Sequence, residues 1–166
     1  MLRQTIAATL TLLATAACTS TFTEWEKEHD AERREREAIA MRRASERAQA
    51  TLDDFLVKAK QLPAGTKAYA VKVGVREGRA TEYFWIDEFS WSDGTFTGRI
   101  NEEPRLVKRI KPGQMHQFSR FDIVDWSYVD EKSGKTFGNF TACALAGTKT
   151  ATGADGSGRR DDLDCS

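Results

Sequence analysis

The hydrophobic rhythm of the chain changes three times. Thr5 to Ala17 (TIAATLTLLATAA) is small or apolar and carries no charge. Glu24 to Arg47 is dominated by charge, with few large apolar residues. Ala38, Met41, Ala44, Ala48, Leu52, Phe55, Ala59 and Leu62 then recur every three or four residues, which draws one stripe along a helix. No Pro or Gly interrupts Thr19 to Leu62, so the pattern predicts one long helix. Thr23-x-x-Glu26 has the form of a capping box at its start, and Leu62-Pro63-Ala64-Gly65 ends it. Asp30–Arg34 and Glu32–Arg36 place acid before base at i,i+4, which suits a solvated helix face. The stripe is thin where it is alanine and thick at Leu52, Phe55 and Leu62, so its last turns are expected to dock on a core. A coiled-coil or partner seam is the other reading of the same stripe; packing on the protein's own sheet is the simpler one.

From Tyr69 the period drops to two. Tyr69, Val71, Val73 and Val75 alternate with Ala70, Lys72 and Gly74, a strand that turns at Arg76–Arg79. Glu82 to Asp87 reads as a second strand, with Phe84 and Ile86 on one face and Tyr83 and Trp85 on the other. Ser92-Asp93-Gly94 is a hairpin signal, and Thr95 to Ile100 the third strand, with Phe96, Gly98 and Ile100 on one face. Lys111-Pro112-Gly113 turns into Gln114–Phe118; a strand follows through Asp125-Trp126-Ser127-Tyr128-Val129. Ser133-Gly134 turns again, and Phe137 to Leu145 reads as the last strand. Short strands with close turns predict an α+β fold: a small antiparallel β-sheet or partly open barrel, with the long N-terminal helix docked by its C-terminal half. The aromatic residues between Tyr69 and Phe140 exceed what so small a core holds, so some are expected in a groove or at the surface.

Charge and cysteines add a destination. With 25 basic and 25 acidic residues the net charge is zero, which argues against a nucleic-acid partner. Arg3 followed by an apolar stretch of about 13 residues is too short for a permanent span of about 20, and it describes an export signal. Ala14-Thr15-Ala16 suits ordinary signal peptidase. Thr15-Ala16-Ala17-Cys18 looks like the bacterial lipobox, in which Cys18 is acylated and becomes the new N-terminus; Thr15 departs from the usual Leu or Val. A chance cysteine in a plain secretory signal is the bland alternative. Acylation at Cys18 would supply the multiple chains that stable anchoring needs, and Thr19 after it suggests, by resemblance to enterobacterial sorting, the outer membrane. The expected organisation is a signal peptide (1–17), a lipid-anchored charged helical stalk (18–50), the α+β domain (51–146) and a flexible tail (147–166). In an oxidising periplasm Cys143 and Cys165 are expected to pair and tie that tail down; two free thiols are the alternative. The domain is placed in the periplasm, or, without lipid, as a soluble periplasmic or secreted protein.

The search for chemistry is less productive. His29 lies in the charged stretch, and His116 in a short strand without metal-ligand spacing, so no metal and no cofactor is expected. Asp87/Glu88 and Glu102/Glu103 are adjacent pairs, and neighbours on a strand face opposite ways, unlike a glycosidase couple. The candidate binding surface is Trp85, Arg99, Asn101, Glu102, Asp125, Trp126 and Tyr128, which mix aromatic faces with hydrogen-bonding ends and would line one groove if their strands are neighbours. The competing structural reading has Asp125 capping a turn, Arg99 paired with Glu102 and Trp126 in the core.

Three stretches carry a resemblance. Tyr69–Val73 with Glu82–Ile86, then Phe96-Thr97-Gly98-Arg99-Ile100-Asn101-Glu102-Glu103-Pro104, then Ile123-Val124-Asp125-Trp126-Ser127-Tyr128-Val129-Asp130 resemble the YegJ-like family of bacterial domains of unknown function (domain of unknown function 2314). Glu102 departs from the second Asn or similar polar residue expected there. The likeness spans about Thr51 to Leu145 and implies a small α+β domain, often exported, with no established activity. The resulting expectation is a non-enzymatic envelope lipoprotein that binds an unknown protein or small envelope component. A periplasmic hydrolase of cell-wall or saccharide material acting through Asp125 and Glu102, and an immunity-type toxin-binding protein, are the alternatives.

Overall fold

The computed structural model describes residues 12–151 and 164–165, with side chains for 24–147 and 164–165. Most of the expected export signal, the side chain of Cys18 and most of the expected flexible tail lie outside the described residues. The chain divides into two compact units, Met1–Ala38 and Ile39–Ser166. In the first, helix α1 (Leu12–Ala50) runs without a break, so Thr23 is an interior position and not a cap. With no Gly or Pro before it, the helix has no cause to begin at the first capping sequence. Its described side chains from Glu24 to Ala38 are almost all exposed, whereas Ala44 and Ala48 near its end are buried. Glu32 pairs with Arg36 at 3.5 Å, whereas Asp30 takes Arg33 at 2.8 Å and not Arg34.

In the second unit the expected single helix is interrupted. Thr51 leaves helical geometry (φ −110°, ψ 5°), and its hydroxyl donates back to Arg47 O at 2.9 Å. Helix α2 (Leu52–Gln61) follows, with Asp53 and Asp54 in its first turn and Lys58 and Lys60 in its last, each sign suited to its end of the helix dipole. Leu62 closes it at φ 46°, its N–H donating to Lys58 O at 2.9 Å.

The sheet has strands β1 (Thr66–Glu77), β2 (Ala80–Ser92), β3 (Thr95–Ile100), β4 (Gln114–Ser119), β5 (Ile123–Asp130) and β6 (Thr136–Gly138). Their order is β4-β3-β2-β1-β5-β6, every pairing is antiparallel, and the sheet does not close. The first four strands form a meander; β5 then returns to the free side of β1. Asp93 (φ 52°) and Gly94 (φ 77°) take the left-handed conformations that a tight hairpin requires between β2 and β3.

Strand β2 is longer than the alternation predicts because of a bulge. Its register with β3 shifts between Asp87 and Ser90, and Glu88 has φ 46°. The extra residue changes parity, so Phe84 and Ile86 before it and Phe89 and Trp91 after it all contribute to the same core. Leu52, Phe55 and Leu56 of α2 pack there with Val71, Val73, Val75, Ile100, Ile123 and Trp126. Ring stacking runs from Phe55 through Phe89, Trp91 and Phe96 to Phe118 at centroid spacings of 6.1, 5.9, 5.7 and 5.5 Å. Much of the apparent aromatic surplus is therefore core; Tyr83 and Phe121 are exposed.

The segment read as a last strand is mostly helical. Strand β6 ends at Gly138, and Gly138 (φ 77°) and Asn139 (φ 52°) turn the chain into helix α3 (Phe140–Ala151). Cys143 thus lies on a helix. It is disulfide-bonded to Cys165 with the Cα atoms 5.7 Å apart, and Asp164 N–H donates to Thr136 O at 2.9 Å.

Two stability measurements check this account. A Cβ at Gly138 would overlap Trp126 O and the indole ring at a positive φ, so Gly138→Ala should cost about 3 kcal/mol or more in urea unfolding. Cys165→Ser opens a loop of 22 residues and should cost about 3 kcal/mol under oxidising conditions, and nothing in excess reductant.

Candidate functional site

Adjacent residues of a strand face opposite sides, and Asp125 and Trp126 separate accordingly. Asp125 is fully buried. One carboxylate oxygen accepts Trp126 N–H at 2.8 Å and Phe140 N–H at 3.2 Å; the other accepts Thr141 N–H at 2.8 Å and the Thr141 hydroxyl at 2.7 Å. It therefore caps α3 from a neighbouring strand, satisfying amides that the first helical turn cannot. Lys72, opposite Asp125 in the register, donates to Thr141 Oγ1 at 3.1 Å and lies 5.6 Å from the Trp85 ring centroid. Burial pushes the Lys72 ammonium below its ordinary value, against the pull of Asp125 and Glu102. Burial likewise raises the Asp125 carboxyl, outweighing its hydrogen bonds.

Trp126 faces the helices. Its indole stacks on Phe55 at 4.8 Å and meets Phe140 edge-on at 5.3 Å. Its N–H donates to Ala48 O at 3.1 Å and reaches Thr51 Oγ1 at 3.3 Å, where α1 gives way to α2. Tyr128 stands two residues on, stacked between Tyr69 at 5.4 Å and Phe137 at 5.3 Å. Lys58 Nζ donates to the Tyr128 hydroxyl at 3.1 Å and sits 4.6 Å from its ring centroid. That hydrogen bond holds the ammonium above its usual value.

These residues line a cleft of about 310 Å³ bounded by Arg47, Thr51, Asp54, Phe55, Lys58, Trp126, Tyr128, Phe137, Gly138, Phe140 and Asp164. Arg47 lies 4.8 Å over the Phe140 ring. Of the seven residues expected to share one surface, only Trp126 and Tyr128 belong to this cleft. Trp85 belongs with Lys72, and Glu102 accepts the Trp85 N–H at 2.7 Å. Asn101 donates to Asp87 at 2.9 Å. Arg99 donates to Gly113 O at 2.8 Å and faces Glu88 at 3.7 Å, not Glu102. The single-groove expectation is corrected: strand parity divides the set between two faces. Sequence reading missed Phe140 because it was assigned to a strand, and Lys58 because its partner Tyr128 is seventy residues away.

His116 is partly buried opposite Gly98; burial, then Arg109, holds its imidazole below the usual value. His29 contacts Trp25 and stands 3.8 Å from Glu32. Among the described residues no group of three or more His, Cys, Asp or Glu is placed to hold a metal ion, and no helix is long and apolar enough to cross a membrane.

The raised Asp125 value fixes a sign. A carboxyl with a folded pKa above its unfolded one contributes stability that is present in acid and lost as pH rises through the folded value. The unfolding free energy of wild type minus that of Asp125→Asn should therefore fall as pH rises above the ordinary aspartate range and then level off. Urea titrations at several pH values measure it; a rising difference would mean that the hydrogen bonds dominate.

Comparison with known proteins supplies the relationship but no activity. A family described as uncharacterized protein conserved in bacteria, DUF2314, matches residues 38–153. Uncharacterized protein YegJ of Escherichia coli (strain K12) is 31% identical over 116 residues, covering 70% of this chain and 73% of that protein. No solved structure matches. The matched region holds the whole sheet, both strand motifs and the cleft-lining aromatic residues, so this chain belongs to the DUF2314 family of uncharacterized bacterial proteins.

Proposed function

We propose that this protein is a non-enzymatic binding module of the bacterial envelope, anchored by lipid at Cys18, with its domain in the periplasm and the outer membrane as its favoured site. The sequence supports the address: a basic start, a short apolar stretch and small residues before a cysteine. A disulfide between Cys143 and Cys165 is in keeping with an oxidising compartment.

The observation that carries the binding reading is the cleft. Its Tyr128 ring is stacked on both sides, by Tyr69 and Phe137, and overlain by Lys58. Stacked rings offer their edges, where the aromatic quadrupole is positive. Edges beside Arg47 and Lys58, with Asp54 and Asp164 lining the same cleft, suit a small neutral or zwitterionic ligand bearing carbonyl or carboxylate oxygens, and they suit a sugar face poorly. The hydrolase alternative has little support in the geometry. The Asp125 oxygens are engaged by three amides and a hydroxyl, and Glu102 holds a strand N–H.

Two measurements test the proposal. Mass spectrometry of the mature protein should find Cys18 as an acylated N-terminus, and Cys18→Ala should leave the precursor unacylated; an unmodified thiol at Cys18 would remove the anchor. Small carboxylic acids and N-acetyl amino acids, titrated under NMR observation, should shift Tyr128, Phe137 and Phe140. Lys58→Gln should weaken that binding about tenfold, as loss of a charge-assisted hydrogen bond does. Shifts that avoid the cleft would refute the site while leaving the anchor untouched.

A further inference from the structure

The loop between β3 and β4 is long, carries four basic and two acidic residues, and is held by hydrogen bonds. Val107 and Ile110 turn inward and are buried. Carboxylates from the β1–β2 hairpin hold its backbone. Glu82 accepts the N–H groups of Arg105, Leu106 and Val107 at 2.8, 2.8 and 3.0 Å, and Glu77 accepts that of Lys108. With the inward positions anchored, Arg105, Leu106, Lys108 and Arg109 are left exposed. Arg109 donates to Arg76 O at 3.2 Å, which joins the loop to the hairpin carrying Arg76 and Arg79, both exposed.

The charges of this surface are unbalanced. Among the described residues the ion pairs involve Arg33, Arg36, Arg42, Lys67, Arg99, Arg120, Lys135 and His29, and none of the five cations Arg76, Arg79, Arg105, Lys108 and Arg109. The carboxylates Glu77 and Glu82, engaged by backbone amides, keep their charge, and Glu103 lies exposed in the same loop, so the five cations exceed the nearby carboxylates by two. Next to Arg105 in the chain and two residues before Lys108, Leu106 is 60% exposed. A chain of zero net charge has thus gathered cations beside one outward apolar side chain.

We propose that the β3–β4 loop and the β1–β2 hairpin form a docking surface for an anionic phospholipid membrane, independent of the cleft and of the acyl anchor. Cations match the headgroup phosphates, and Leu106 enters the boundary of the acyl region between them. This combination of charge and one apolar contact is what binding in the plane of an anionic interface requires. A soluble polyanion would use the cations and gain little from the leucine. Each cation near an anionic leaflet strengthens partitioning by about fivefold.

The test uses the full chain carrying Cys18→Ser, so that acylation does not contribute. Its readout is the ratio of partitioning onto phosphatidylglycerol-containing vesicles to that onto neutral phosphatidylcholine vesicles, which cancels any apolar contribution of the N-terminal segment. The ratio should exceed tenfold at low salt and fall as salt rises. The triple variant Arg79→Gln, Arg105→Gln, Lys108→Gln, which leaves the Arg109–Arg76 hydrogen bond in place, should lower it by about tenfold or more, with an unfolding midpoint close to that of wild type because all three side chains are exposed. Leu106→Ser should weaken binding to the anionic vesicles and leave the salt dependence intact. A wild-type ratio near one, a smaller loss in the triple variant, or an unaffected Leu106→Ser would overturn the proposal. So would equally tight binding of soluble polyphosphate. None of these outcomes bears on the cleft.

Discussion

The fold depends on what two consecutive residues of β5 do on opposite faces of the sheet. Trp126 fills the front face, stacked on Phe55, and its indole N–H takes the Ala48 carbonyl where the helix breaks. Asp125 points to the back and holds the first amides of α3. One strand thereby fixes three helical segments. A buried donor and a buried acceptor are costly when unpaired, and here each is paired with the backbone of an element distant in sequence. Gly138 completes the arrangement, because only a residue without a side chain passes over the indole at that point.

This explains what the two strand motifs of this sequence encode. Ile123 is core, Asp125 caps α3, Trp126 pins the helices, and Asp130 receives both the N–H and the hydroxyl of Ser133 in the following turn. In the other motif Gly98 lets β3 pass close to Ile86, Ile100 is buried, and Asn101 ties back to Asp87. These two stretches thus serve largely in assembly. Function is better sought in side chains left over once the assembly is satisfied.

The strand positions of β1 and β3, their buried faces and the turns after them were legible in the sequence, because strict alternation and Asp-Gly chemistry are local signals. The α+β class and the docking of the helix through Leu52 and Phe55 were legible for the same reason. Three features were not. The helix break at Thr51 has no Pro or Gly; it is accompanied by an indole far along the chain. The bulge at Glu88 hides the second half of β2 by changing its parity. Helix α3 follows β6 so closely that Phe137 to Leu145 reads as one apolar run, and the residue that caps it lies on another strand. The candidate surface suffered from the same limitation. Its residues were grouped on the condition that their strands are neighbours, but β1 lies between β2 and β5, and the alternation along β5 sends Asp125 to one face and Trp126 and Tyr128 to the other.

The β3–β4 loop has a broader implication. Its shape is set by two inward hydrophobic side chains and by carboxylates that grip main-chain amides, a grip indifferent to what the outer positions carry. Arg105, Leu106 and Lys108 are therefore under little architectural restraint. Homologous chains can exchange them wholesale and keep the same scaffold, so recognition can diversify here at a pace the interior would never tolerate.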